Sequence, residues 1–296
     1  MERETLVSLL IMLSGGLTLQ LLAAWPPAKA AGADPAALER QAWRDLCRPA
    51  LAVVPLAAWF VGWALTEPDP VRDPLDPGVV VLLWLPFGLL FMRAAVRAAW
   101  ALLREPPECG VSTCGFLQPQ VVFSPFLARR LDEPVIHAAL AHEHAHARHR
   151  DPLRIWVAQL ITDLQWPWPQ APRRLTSWLA ALELARDEEA RREGIEGPDL
   201  AAAVLASVRF LGELPARERD ALAGTQLVHA RLIGDAQTLH QRVARLLAPT
   251  RGSGAAAARF SLRRRVVLMV PLLLAVMLLG AVWGQRIMLP LLGLTT

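Results

Sequence analysis

Residues 132 to 152 read Asp132-Glu133-Pro134-Val135-Ile136-His137-Ala138-Ala139-Leu140-Ala141-His142-Glu143-His144-Ala145-His146-Ala147-Arg148-His149-Arg150-Asp151-Pro152. The stretch predicts one helix. Asp132 is placed to cap its first turn, Pro134 is tolerated there, the alanine-rich interior favours helix, and Asp151-Pro152 closes it. On such a helix His142 and His146 stand one turn apart on one face, so both imidazoles can grip the same zinc ion. Glu143 follows the first of them and reaches a water on that ion. Zinc lowers the pKa of such a water toward ~7, and the glutamate takes its proton and passes it to a leaving amine. Five of the seven histidines of the chain fall in this stretch, so a histidine-rich surface helix is the plain alternative. A catalytic zinc also wants a third protein ligand from a neighbouring element. The metzincin solution fails, because Pro152 stands six residues past His146.

Downstream, Leu175 to Glu193 reads as a strongly charged helix. Within it Glu183 and Asp187 share a face at i and i+4. Glu183 is placed to complete the zinc site, with Asp187 fixing a ligand histidine from behind. The neighbouring Glu188, Glu189, Arg191 and Arg192 read as a solvated face.

The rest of the chain narrows the chemistry by what it lacks. There is no tyrosine, and the only lysine is Lys29, so a Tyr donor and a Walker-type Gly-Lys phosphate cradle are both excluded. Three cysteines, Cys47, Cys109 and Cys114, encode no disulfide framework, and the Cys109/Cys114 pair reads as ordinary thiols. Thirty of the 31 basic residues are arginine, a composition bias that does not by itself point to nucleic acid.

Hydrophobic residues make up 54% of the chain, against roughly 45–50% in a typical globular domain. They cluster in four runs: Thr5 to Trp25, Ala50 to Leu65, Gly78 to Met92 continuing through Ala94 to Leu103, and Val266 to Gly284. With about 20 apolar residues needed per crossing, these predict about four transmembrane helices, three of them near 5–25, 49–66 and 78–101 and the last beginning near 265. Lys29, Arg40, Arg44 and Arg48 place the first loop inside, and Glu67, Asp69, Asp73 and Asp76 place the second outside. Residues 104–264 are then expected in the cytoplasm of a bacterium, held to its inner membrane by 1–103 and by 265–296. A cleaved signal peptide ending near Ala28-Lys29-Ala30 is the weaker alternative, because Met1-Glu2-Arg3-Glu4 has no positive excess.

Taken together, Gly115-Phe116-Leu117-Gln118-Pro119-Gln120-Val121-Val122-Phe123-Ser124-Pro125, His142-Glu143-x-x-His146, Arg150-Asp151 and Glu183-x-x-x-Asp187 resemble the BlaR/MecR-type integral-membrane zinc metallopeptidases. The similarity extends to Trp166-Pro167-Trp168-Pro169 and to Gln241-Arg242-Val243-Ala244-Arg245-Leu246-Leu247, and covers residues 105 to 250. The resemblance implies a mainly α membrane protein with a gluzincin-like α+β peptidase domain, small in β content, between the third and fourth spans. It implies one zinc ion on His142, His146 and Glu183, with Glu143 as the base. A polypeptide substrate is implied, a transcriptional repressor among the candidates, with the lipid bilayer and a separate sensor protein as further partners. Direct β-lactam sensing is not expected, since Lys29 has Pro26 three residues before it and the chain ends soon after the fourth run. The alternatives are an HtpX-like quality-control protease and a catalytically idle zinc-ordered scaffold or regulator.

Three further expectations concern the site. Val121, Val122 and Phe123 form the best strand candidate, either a substrate-binding edge or an internal strand. With no tyrosine available, the oxyanion donor is sought among His229, His240 and Arg242. His137 and His144 point away from the ligand face, and His149 lies too far along it. Leu153 to Trp168 reads as a helix lying on the bilayer or packed against the motif helix.

Overall fold

The computed structural model describes residues 2–23, 34–66, 77–103, 111–166, 168–213, 236–248, 274–283 and 286. Along the chain come α1 (Glu2–Ala23), α2 (Pro35–Thr66), α3 (Pro77–Leu103), β1 (Val111–Cys114), β2 (Gln120–Phe123), α4 (Pro125–Ala128), α5 (Glu133–Arg148), α6 (Asp151–Leu164), α7 (Gln170–Arg192), α8 (Gly197–Glu213) and α9 (Ala236–Leu247). A further helix, α10, covers residues 274–283. The chain divides into two compact units, one of residues 1–28, 47–93 and 256–296, the other of residues 29–46 and 94–255.

The first unit is helical, and glycine governs its closest approach. A Cβ on Gly62 of α2 would stand 1.9 Å from the main-chain oxygen of Met277, and one on Gly280 of α10 would stand 2.1 Å from that of Trp59. Backbone meets backbone at both points, which only a residue without a side chain permits.

The expectation of four transmembrane helices is corrected here: among the described residues, no helix is long and apolar enough to cross a membrane. The placement in a bacterial inner membrane, which rested on those spans, falls with it. The hydrophobic runs are shared between helices that also carry charge. In α2 the apolar half follows Glu39, Arg40, Arg44, Asp45 and Arg48. In α3 the run is broken by Arg93 and Arg97, and Arg97 is paired with Asp163 at 3.2 Å. The described part of the fourth run is residues 274–283. Lys29 and the segment 67–76, whose charges enter the expected orientation, lie outside the described residues.

The second unit holds the histidine helix. Its two strands pair antiparallel, Val111 with Phe123, Ser112 with Val122, Thr113 with Val121 and Cys114 with Gln120. The connection turns at Gly115, whose φ of +93° suits glycine. Against α5 lie β1, α6, α7 and α8. Alanine at 138 and 145 of α5, both fully buried, lets neighbouring helices approach closely. Ala138 joins Ala190, Leu200, Ala201 and Leu246 in one apolar cluster. The other cluster gathers Leu46, Ala158, Leu175, Trp178, Leu179 and Leu182. Trp178 is fully buried and tilts against Trp43 at 4.9 Å between ring centres. The segment expected to lie on a bilayer or against the motif helix forms α6, packed on α5 and α7.

Candidate metal centre

Helix α5 starts at Glu133 after Asp132, which has extended backbone but makes no side-chain capping bond. The period of the helix brings His142, Glu143 and His146 to its buried side. The chain then turns on Arg150, the one non-glycine residue with positive φ among those described, at φ 53° and ψ 44°. That left-handed corner starts α6 at Asp151 and returns its carboxylate to the helix just left: Asp151 Oδ2 accepts from His146 Nδ1 at 2.9 Å. Helix α7 delivers Glu183 and Asp187, both buried, to the same place.

Three ligand-type atoms converge. His142 Nε2 lies 3.1 Å from His146 Nε2 and 3.3 Å from Glu183 Oε2, and His146 Nε2 lies 3.5 Å from Glu183 Oε1. This is the one group of three or more metal-ligand side chains among the described residues. A tetrahedral zinc with bonds of about 2.0–2.1 Å separates its ligand atoms by about 3.3 Å. The spacings of His142 Nε2 to His146 Nε2 and to Glu183 Oε2 lie near that edge length, while His146 Nε2 meets the other carboxylate oxygen, Oε1.

Tautomers strengthen the fit. A neutral imidazole has one donor and one acceptor nitrogen. With its Nδ1 hydrogen given to Asp151, His146 presents a bare Nε2. His142 Nε2 accepts from Arg242 Nη2 at 3.2 Å, and its Nδ1 faces Asp187 Oδ1 at 3.0 Å, though off the line of a good hydrogen bond. With both imidazoles neutral and carrying hydrogen on Nδ1, both Nε2 atoms would turn a lone pair toward the Glu183 carboxylate, the tautomer that a shared divalent cation selects; with a proton on one Nε2, the 3.1 Å contact is an N–H···N hydrogen bond.

The electrostatics agree. Burial disfavours a charged imidazole at His142, but the contacts to Asp187 and Glu183 outweigh it and push its pKa up to about 9. Burial raises the Asp187 and Asp151 carboxyls, yet Arg242 and His142 at the one, and His146 and Arg186 at the other, hold both below the usual carboxylate range. Around the cluster, the carboxylates of Glu143, Glu183 and Asp187 face the guanidinium of Arg242.

Glu143 is held from the sheet. Thr113 Oγ1 on β1 lies 2.8 Å from Glu143 Oε2 and 2.8 Å from the Glu143 main-chain oxygen. The strand that bonds to Glu143 is thus β1, while Val121, Val122 and Phe123 lie in β2, which pairs with β1 and also packs against α5. Among the three expected oxyanion donors, Arg242 reaches the centre. It pairs with Asp187 through Nε at 2.6 Å and Nη2 at 2.8 Å, and with Glu183 through Nη1 at 2.8 Å. His240 is exposed on α9, and His229 lies outside the described residues. His137 and His144 are exposed, and His149 is exposed and bonded to Glu189 at 2.8 Å.

Two residues of the centre carry no spacing signal of their own: Thr113 and Asp151. Asp151 reads in sequence as a helix stop and as part of the Arg150-Asp151 element of the resemblance, with no role assigned to it, and nothing in β1 announces a contact thirty residues ahead. Searches with the whole chain found no matching family model, curated protein or solved structure, so its chemistry is argued from the geometry above.

Proposed function

We propose that the chain is a zinc-dependent endopeptidase, with His142, His146 and Glu183 as the metal-holding residues and Glu143 as the base. The observation that carries this is the convergence of three ligand side chains, His142, His146 and Glu183, whose histidines are each backed by a carboxylate. Bound there, zinc would supply a Lewis acid that polarises a scissile carbonyl and acidifies a water. Glu143, steadied by Thr113, would take a proton from the attacking water on its carboxylate and pass it to the departing amine. Arg242 keeps Asp187 aimed at His142 and offers N–H groups toward a developing oxyanion. An extended polypeptide suits the two-stranded sheet beside the base, where main-chain pairing would hold it. The BlaR/MecR-type resemblance points to regulatory cleavage of a repressor as the use of this activity.

Zinc-loaded protein and its Glu143→Gln variant, each incubated with denatured casein, test the proposal. The wild type is expected to cleave, and the variant to keep its zinc while losing about 10²- to 10⁴-fold in rate. Undiminished cleavage by the variant, or none by the loaded wild type, overturns it.

A further inference from the structure

Behind His146 runs a chain of buried charge that ends on α2, far from the histidine helix in sequence. Asp151, fully buried, accepts from His146 Nδ1 at 2.9 Å, from Arg186 through Nε at 2.5 Å and Nη2 at 3.1 Å, and from Arg154 Nη1 at 2.9 Å. Arg154 in turn gives Nη2 to Glu39 Oε1, and the same oxygen accepts from Trp178 Nε1 at 3.0 Å. Glu39 is itself buried. Arg154 also lies over the rings of Trp43 and Trp178, 5.4 and 5.6 Å from their centres.

A buried ion pair set among tryptophans is poor value as a stabiliser, since apolar residues of similar volume commonly do as well or better. Its effect on the neighbouring carboxylate is another matter. Each guanidinium draws on the carboxylate that pulls the Nδ1 hydrogen of His146, Arg186 Nε at the same oxygen, Oδ2, and Arg154 at the other, Oδ1, and so makes that histidine a weaker donor to a cation. Glu39 offsets the charge of Arg154 and leaves Asp151 free to polarise the imidazole.

Resting on the metal-centre reading, we infer that Glu39 is a positioning residue of that centre, setting through Arg154 and Asp151 how tightly His146 holds a divalent cation. Removing its charge leaves Arg154 wholly on Asp151 and adds a positive charge near the cation. Both effects lower affinity. Removing Arg154 as well restores the balance.

Zinc affinity of the full chain, measured by competition with a chromophoric chelator, tests this, with the cobalt(II) ligand-field spectrum as a second readout. Carboxylates that directly back a ligand are worth about 10–100-fold in metal affinity. One contact further out, Glu39→Gln is expected to weaken zinc about tenfold and to perturb the cobalt spectrum. The double variant Glu39→Gln/Arg154→Gln is expected to return to near wild-type affinity, which a merely structural role would not produce. In an Asp151→Asn background, Glu39→Gln is expected to change nothing further. Equal affinity of Glu39→Gln and wild type overturns the inference, as does failure of the double variant to recover. Should Glu39→Gln not fold, the double variant alone decides in the same way. A wild type that takes up no zinc removes the metal-centre reading itself, a separate result.

Discussion

His142 Nε2 and His146 Nε2 face each other at 3.1 Å, each with its other ring nitrogen against an aspartate. Together with the Glu183 carboxylate these nitrogens put three ligand side chains around one small space. Replacing His142, His146 or Glu183 by alanine is therefore expected to abolish stoichiometric zinc binding in each case. Metal analysis of the purified variants after dialysis is the check, and a variant that keeps a full equivalent removes that residue from the ligand set.

Thr113 reaches Glu143 from β1 through one hydroxyl that meets both the carboxylate and the main-chain oxygen. Thr113→Val removes a hydrogen bond to a charged group, and a loss of about 1.5–3 kcal/mol corresponds to a kcat lower by about ten- to a hundredfold. KM and zinc content are expected to hold, and Thr113→Ser to recover most of the rate. Steady-state kinetics on a fluorogenic peptide would show the split.

Arg242 is the counter-ion of two buried carboxylates, Asp187 and Glu183. Arg242→Met leaves both uncompensated, which costs about 3–5 kcal/mol for a broken buried pair. A bound divalent cation would replace much of the missing charge. The variant is thus expected to melt well below wild type without metal, and to gain more in Tm from zinc than wild type does.

Acid sensitivity has a distinct marker on α7. Burial raises the Glu189 carboxyl, but His149, Arg148 and Arg186 overcome this and pull its pKa down to about 2 from an ordinary 4.5. A carboxylate depressed on folding stabilises the native state above its unfolded pKa, and that stabilisation fades as pH falls from about 4.5 toward 2. Glu189→Gln is accordingly expected to be less stable than wild type at about pH 5.5, with the gap closing as the medium is acidified through that window. Urea unfolding at several pH values measures it.

Local periodicity explains what the sequence made legible. One helical turn places His142 beside His146, and another places Glu183 beside Asp187. That the two pairs meet follows only from the need of a zinc for a third ligand. The helix expected over 175–193 begins earlier, at Gln170, and the strand expected at 121–123 is β2 from Gln120. What could not be read were contacts across long separations: Thr113 to Glu143, Arg242 to Asp187, and Glu39 to Arg154. None repeats with a period, and each depends on which helices come to lie side by side. Hydropathy misled for a related reason. It scores residues in a window and is blind to a partner such as Asp163, which takes the charge of Arg97 within the fold.

The left-handed corner at Arg150 leaves the centre intolerant of insertion. Since α6 begins directly after it, Asp151 and Arg154 inherit their heading from that one residue's dihedral angles. One extra amino acid in the last turn of α5 would swing everything beyond it by about 100° about the helix axis. Both the aspartate behind His146 and the arginine that links it to α2 would then face the wrong way, so the stretch between positions 146 and 151 cannot be lengthened without taking the centre apart.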